Sequence, residues 1–498
     1  MNRARQRIRD KAVERCRERG VLIPTFAEMR DPLTIDPAVA AALKGVDMQA
    51  VDPLNLFRIS WRNDPETGGF GEVNALELPS ELTGVEARIV GLVGRHFPTG
   101  SHKVGAAFGC LVPRLVNGEL DPVRHRAVWP STGNYCRGGA FDCALLGCRS
   151  VAILPEEMSA ERFAWLQAIG SEIIKTPGCE SNVKEIFDAC HKIREIHPRS
   201  VIFNQFEEFG NYLWHFGVTG PAAESVFQGL VPPRGSRAPR LAAWVGATGS
   251  AGTLAAGDYL KERYPHCRIA AAEALQCPTL LACGYGAHRI EGIGDKHVPW
   301  IHNVRNTDAV TAVDDEATVR LLRAFNSPAG QVALARYGVD DAVIRRLPLL
   351  GISSICNLLA AVKVARWFEL DERDVLLTSF TDSVDLYHTR LAELDEERGE
   401  LDEMGATVDF ERYALGAAVD HFRELRFPER KAIHNLKYFT WVEQQGKTVK
   451  QLDALWSPDF WHHLTAQLPA WDEAIAAFNR DTGVAERIRR EAAVESLP

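Results

Sequence analysis

The 498-residue chain has no apolar run near the ~20 residues that span a bilayer. It has no internal repeat and no low-complexity tract, so solenoids, fibres and disordered arrays are excluded. No large basic excess is present either. A formal net charge of −9 argues against nucleic acid as the partner. The eleven cysteines are scattered and odd in number, without one CxxC pair, and Cys143 and Cys148 lack nearby histidines. That excludes a zinc centre and a disulfide framework and predicts buried thiols in a reducing cytoplasm. No metal site is expected.

What is there is ordinary globular composition, 46% hydrophobic and 25% charged, at a length that calls for two or three domains. The first twenty residues carry eight Arg and Lys, but also Asp10, Glu14 and Glu18, with no apolar stretch behind them. They read as a solvated amphipathic helix and not a secretory signal. From about 85 to 385, short apolar runs alternate with helical patterns: "RAVWP" into "STGNYCRGGAFDCALLGC", "SVAILPE" into "MSAERFAWLQAIG", "RLAAWVG" into "ATGSAGTLAAGDYLKERY", then "RIAAAEA" and "DVLLTSF". Strand, turn and helix in this order predict α/β architecture with mostly parallel sheets. Residues 389–498 begin acidic, read as helical, and hold four of the eleven tryptophans: Trp441, Trp456, Trp461 and Trp471. They are expected to pack on the main body or on a partner subunit without adding to the sheet. His462 and His463 there are assigned to aromatic packing.

Three short stretches carry chemistry. "GATGSAGT" (246–253) joins an apolar run to a helix. Its glycines let backbone N–H groups converge, and the helix adds its positive end, so an anion fits there. The stretch lacks the Lys of a nucleotide P-loop and the spacing of a dinucleotide loop, which leaves a phosphate on a smaller cofactor. "STGNYCRGG" (131–139) has the same design, with Ser131, Thr132 and Asn134 beside backbone donors suited to a carboxylate. "PTGSHKVGAA" (98–107) surrounds Lys103 with small residues and no nearby acid. That is read as room for a planar ring beside an amine whose proton is easily lost, a nucleophile toward an aldehyde. An aldehyde carrying a phosphate is pyridoxal 5′-phosphate.

In that order the three stretches resemble fold type II pyridoxal-phosphate enzymes of the tryptophan synthase β superfamily, most closely the cysteine synthase and cystathionine β-synthase branch. Further resemblances are "FNQFEEFGNYLWHFGVTGPAAE", "EGIGDKHVP", "GISSICNLLAA" and "TSFTDSVDLY". The resemblance covers about residues 90–388. It implies two three-layer α/β domains with mostly parallel twisted sheets, plus the helical C-terminal extension. The expected division is a helical arm 1–60, a large cofactor-binding domain 61–109 and 216–388, a smaller mobile domain 110–215, and the extension 389–498. Lys103 would be the Schiff-base lysine and Asn134 the partner of the ring's 3′-oxygen. Gly249, Ser250, Ala251, Gly252 and Thr253 would hold the phosphate. Ser383 would face the pyridine nitrogen, with adjacent Asp382 as the competing partner. Ser131, Thr132, Gly133, Tyr135 and Gln205 would bind the substrate.

The implied activity is β-replacement on a small amino acid with a β-leaving group, through an aminoacrylate, with β-elimination as the alternative and a non-catalytic scaffold as the reading from another class. A cytoplasmic homodimer is expected. The chain departs from the branch at Tyr135, Cys136 and Arg137, where cysteine synthases have small residues, and this points to a different substrate. For Arg137 two readings stand side by side, a salt-bridged surface residue and recognition of an anionic substrate.

Overall fold

The computed structural model describes residues 2–131, 133–178, 183–232 and 238–495. Its strands are β1 (Ala75–Leu78), β2 (Arg88–Val93), β3 (Arg126–Pro130), β4 (Arg149–Pro155), β5 (Glu172–Thr176), β6 (Ser200–Ile202), β7 (Arg240–Ala247), β8 (Arg268–Ala274), β9 (Ala309–Val313), β10 (Asp374–Phe380) and β11 (Phe422–Glu424). They form two sheets. The larger runs β1-β2-β10-β7-β8-β9-β11, the smaller β5-β4-β3-β6.

The inner strands of the larger sheet, β2, β10, β7, β8 and β9, are parallel, and so is the whole smaller sheet. Parallel strands need crossovers that cover both faces, and the composition shows it. All seven residues of β10 and all five of β9 are buried, as near-continuous apolar runs require. The smaller sheet is an insertion in the chain between β2 and β7.

The edges of the larger sheet are antiparallel strands, β1 on one side and β11 on the other. β11 corrects the sequence reading, because it comes from the C-terminal segment and does add to the sheet. Phe422 pairs with Thr311 and Glu424 with Ala309. A three-residue polar strand in a helical background gives almost no periodic signal, and only the open edge of β9 defines it.

The helix Lys103–Val116 crosses the helix Asn134–Leu146 at very short range. A Cβ on Gly138 would lie 2.7 Å from the Cα of Val104, and one on Gly105 would lie 2.0 Å from the Trp214 ring. Gly105 therefore serves close packing against Trp214, a contact made across the chain that leaves no local pattern.

The tryptophans of the extension pack on the chain's own body. Trp461 lies 4.9 Å from the Tyr212 ring and 6.0 Å from Phe209. Trp441 is fully buried against Phe187, His297 and Trp300, and its Nε1 donates to the Val298 carbonyl at 2.8 Å. Close by, Lys437 Nζ donates to the carbonyls of Trp300 and His302 at 2.9 and 2.7 Å. The extension thus braces the segment 297–302. The N-terminal arm meets it as well: Asn479 exchanges two hydrogen bonds with the Ile23 backbone, and Asp472 accepts from the Phe26 N–H at 2.6 Å.

Trp441→Ala removes a large packed ring and leaves the Val298 carbonyl without its donor. We expect it to lower unfolding stability by about 3–5 kcal/mol. Chemical denaturation checks this, and a loss under 1 kcal/mol would mean that the brace is dispensable.

Candidate active site

The carboxyl ends of β7 and β10 and the N-terminus of the Lys103 helix converge on one cleft. It is lined by Lys103, Gly249, Ser250, Ala251, Gly252, Thr253, Gly292, Ile293, Asn357, Ser379 and Thr381. This is where ligands sit in open α/β sheets, outside the carboxyl ends of parallel strands.

The loop after β7 is shaped by its close neighbours. Ala251 adopts φ 62°, a left-handed turn that aims successive N–H groups one way. A Cβ on Gly252 would lie 2.1 Å from Asn211 Oδ1, and one on Gly249 would lie 2.6 Å from the Gly292 carbonyl. Asn211 Nδ2 holds the loop by donating to Ser250 Oγ at 2.9 Å and to the Gln205 carbonyl at 3.0 Å. The Gly294 N–H ties the "GIG" segment to the Thr248 carbonyl at 2.9 Å. The helix Leu254–Arg263 begins where the loop ends and adds its positive terminus.

Lys103, half-buried, approaches Gln205, with Nζ 3.4 Å from Oε1. Gln205 in turn turns its amide toward Ser131 Oγ at 3.5 Å, and the Gly133 N–H donates to the same hydroxyl at 3.2 Å. Ser131, Gly133 and Gln205 are thus brought together beside Lys103. Thr132 lies outside the described residues. Tyr135 is not brought to them. Its ring packs edge-on against Trp129 at 5.4 Å in the core of the smaller sheet.

Asn134 donates through Nδ2 to Asp382 Oδ2 at 2.6 Å, while its Oδ1 is buried without a partner. Ser383 Oγ is likewise buried and without a partner. Buried hydroxyls and amides are ordinarily hydrogen-bonded, so these two atoms are free to take a ligand's polar groups. Asp382 and Ser383 are both buried here. Strand alternation does not separate them, because β10 ends at Phe380.

Asp382 belongs to a chain of polar groups spanning the seam between the sheets. Tyr387 Oη donates to Asp382 Oδ2 at 2.8 Å, and Arg162 Nη2 to Tyr387 Oη at 3.1 Å. Arg162 also pairs with Glu291, which accepts from Arg390 Nε at 2.6 Å. Burial raises the Asp382 carboxyl above the usual carboxylate range, opposed by Arg162 and the bond from Asn134.

Two further groups flank Lys103. Burial pushes the Asp295 carboxyl up to about 7 while the Lys103 charge pulls it down, and its Oδ2 has no partner. His102, wedged between Trp61 and His215, is held down at about 3 by burial and by Lys103. Sequence reasoning missed Asp295 although it follows the "GIG" stretch, and it missed the side chains of Asn357, Ser379 and Thr381. Asn357 braces the site: Oδ1 accepts from the Ala247 N–H at 2.7 Å and Nδ2 donates to the Ser379 carbonyl at 2.7 Å. No local spacing marks such long-range ties.

A sequence profile of the family described as "Pyridoxal-phosphate dependent enzyme" matches residues 79–339, slightly more than half of the chain. The chain belongs to that family. Among curated proteins it is 29% identical to a cysteine synthase of Staphylococcus aureus over 272 residues, 54% of this chain and 78% of that one. It is 27% identical over 326 residues to cystathionine beta-synthase of Saccharomyces cerevisiae, 64% of this chain and 60% of that one. Among solved structures, cysteine synthase from Entamoeba histolytica superposes with a TM-score of 0.56 at 21% identity, over 69% of this chain and 93% of that one. That last likeness speaks for the fold.

The family's cofactor is pyridoxal phosphate, and the site fits it. The tight glycine loop suits a phosphate, an amine lines the same cleft, and the two unpartnered atoms suit a polar ring.

Asp295 yields a stability prediction. Its carboxyl is favoured neutral in the fold, so its contribution is present below pH ~4 and is lost as pH rises through about 7. Asp295→Asn removes that dependence. The unfolding free energy of the cofactor-free variant, measured by chemical denaturation, should gain on the parent's between pH 4 and pH 8, by an amount on the order of a few kcal/mol. A constant gap across that range would show that Asp295 is ionised throughout.

Proposed function

We propose that the chain catalyses β-replacement on a small amino acid that carries a β-leaving group, in the manner of the cysteine synthases. The carrying observation is the single cleft in which Lys103 faces the loop 249–253, with the buried hydroxyl of Ser383 in reserve. Similarity to a cysteine synthase and to a cystathionine beta-synthase supports it.

When bound, pyridoxal phosphate supplies an electron sink that lets an amino acid lose its α-proton and then its β-substituent. The protein's residues do the rest. The N–H groups and hydroxyls of Gly249, Ser250, Ala251, Gly252 and Thr253 hold the phosphate at a helix N-terminus. Lys103 Nζ would hold the cofactor's aldehyde and would be the base placed to take the α-proton. Asn134 would serve the ring's 3′-oxygen. Ser383 Oγ would serve the ring nitrogen, where a neutral hydroxyl, unlike a carboxylate, would not keep that nitrogen protonated and so would suit β-chemistry more than transamination. Ser131, Thr132, Gly133 and Gln205 cradle the substrate carboxylate, and Tyr135 shapes that loop from beneath.

In this reading the smaller unit, residues 110–215, closes over the larger one, 61–109 and 216–388, with the arm 1–60 and the extension 389–498 packed around them. A cytoplasmic homodimer is part of the same proposal. Twofold pairs are the commonest oligomers, and among the described residues no helix is long and apolar enough to cross a membrane.

A donor panel of O-acetyl-L-serine, L-serine and L-cysteine, each with and without sulfide, tests the reaction. A new amino-acid product supports replacement. Keto acid and ammonia in every arm would make the enzyme an eliminase, and no turnover with any donor would leave a scaffold. Lys103→Ala should abolish turnover and leave no cofactor fixed by borohydride, with the fold intact by circular dichroism. Cofactor fixed to the variant would place the attachment elsewhere.

A further inference from the structure

Arg137 lies one turn beyond Asn134 on the helix Asn134–Leu146, so both side chains issue from the same face. It is not a surface residue: only 3% of it is exposed. Its guanidinium carbon stands 4.8 Å from the centroid of the Trp165 ring, which fixes the plane of the fork. Nε and Nη1 have no hydrogen-bond partner, and among the described residues Arg137 makes no ion pair.

The surrounding charges do not cancel it. Arg162 is its strongest charged neighbour and has the same sign, with Asp382 and Tyr387 further contributors. Glu291 is shared by Arg162 and Arg390. Asp382 accepts from Asn134 and Tyr387 and not from Arg137. Burial and Arg162 hold the Arg137 guanidinium down at about 10, which still leaves it charged at neutral pH.

A buried, charged guanidinium without a counter-ion is costly, and its planar fork matches oxyanions. Its place on the Asn134 helix, with Asp382 and Tyr387 among its charged neighbours, sets it at the seam beside the cleft. We propose that a substrate's β-substituent projects to this side and that Arg137 pairs with an oxyanion carried on it, either the group that departs or the nucleophile that arrives. Substrates would then be amino acids bearing a phosphate or carboxylate beyond the α-carboxylate, or anionic thiols. Neutral acyl esters paired with bare sulfide would be poorer. The inference rests on the β-replacement reading above.

The test compares the holoenzyme with Arg137→Gln and Arg137→Lys. In the donor arm, O-phospho-L-serine is set against O-acetyl-L-serine. In the acceptor arm, mercaptoacetate is set against 2-mercaptoethanol with O-acetyl-L-serine as the common donor. Arg137→Gln should raise KM for the anionic member of one arm by roughly 10- to 100-fold, with the neutral member changed less than about threefold. Arg137→Lys should recover part of that loss. Which arm responds tells whether the anion departs or arrives.

Binding is read independently of turnover, as the rise in holoenzyme melting temperature with O-phospho-L-serine or mercaptoacetate. That rise should shrink in Arg137→Gln. Equal losses for anionic and neutral partners in both arms, with unchanged thermal shifts, would overturn the assignment to Arg137. Absence of turnover in the parent enzyme, with the thermal shift still dependent on Arg137, would overturn the replacement reading and leave the anion site standing.

Discussion

One buried polar chain crosses the seam between the two sheets. Asn134 and Arg162 come from helices of the smaller sheet, while Asp382, Tyr387, Glu291 and Arg390 come from loops and helices around the larger one. A buried ion pair adds little net stability over apolar packing, but removing one partner strands the other and costs several kcal/mol. The chain therefore acts as a latch: it fixes which residues of the smaller unit face the cleft. Asn134 is the point where latch and site meet, because one end of its amide is engaged by Asp382 and the other is unsatisfied.

Much of the cleft was legible in the sequence because its parts are local. A strand, a glycine loop and a helix in immediate succession produce the turn at 246–253, whatever surrounds it. The same holds for the loop after β3 and for Lys103 at the start of its helix. What the sequence did not show are contacts that join distant segments. The Arg162–Glu291 pair spans 129 positions and the Asn134–Asp382 bond 248, and neither leaves a periodic trace. Lys103 is the instructive case. Beside it, Gly105 makes room for Trp214 and Gly138 for a crossing helix, needs that no local spacing shows.

The C-terminal segment changes meaning once placed. Its aromatic content suggested a cover for some apolar surface, and that surface is the chain's own. Trp441 and Lys437 grip the backbone of Val298, Trp300 and His302, which follows Asp295 by only a few residues. A loop that carries a carboxyl near Lys103 is held from outside by an element beyond the family's matched region, residues 79–339. The extension thus fixes the backbone that follows Asp295.

The site also explains how a protein keeps polar groups buried without partners. Ser383 Oγ, Asn134 Oδ1, Asp295 Oδ2 and two nitrogens of Arg137 all lack one, and each such group costs about 1–3 kcal/mol more than a satisfied one. Others lie elsewhere in the chain, as at Asp142 and Trp129, but these belong to Lys103's surroundings or to the seam beside it. A fold tolerates such a concentration when packing elsewhere holds the groups in place, as the two apolar cores on either side of the larger sheet do here. The unsatisfied groups are then a preorganised cast of the ligands. Hydrogen bonds they form on binding carry little further ordering cost, since the side chains are already fixed. Ligand binding and global stability become linked, and the loaded protein must be the more stable form by an amount that grows with the logarithm of ligand concentration over the dissociation constant.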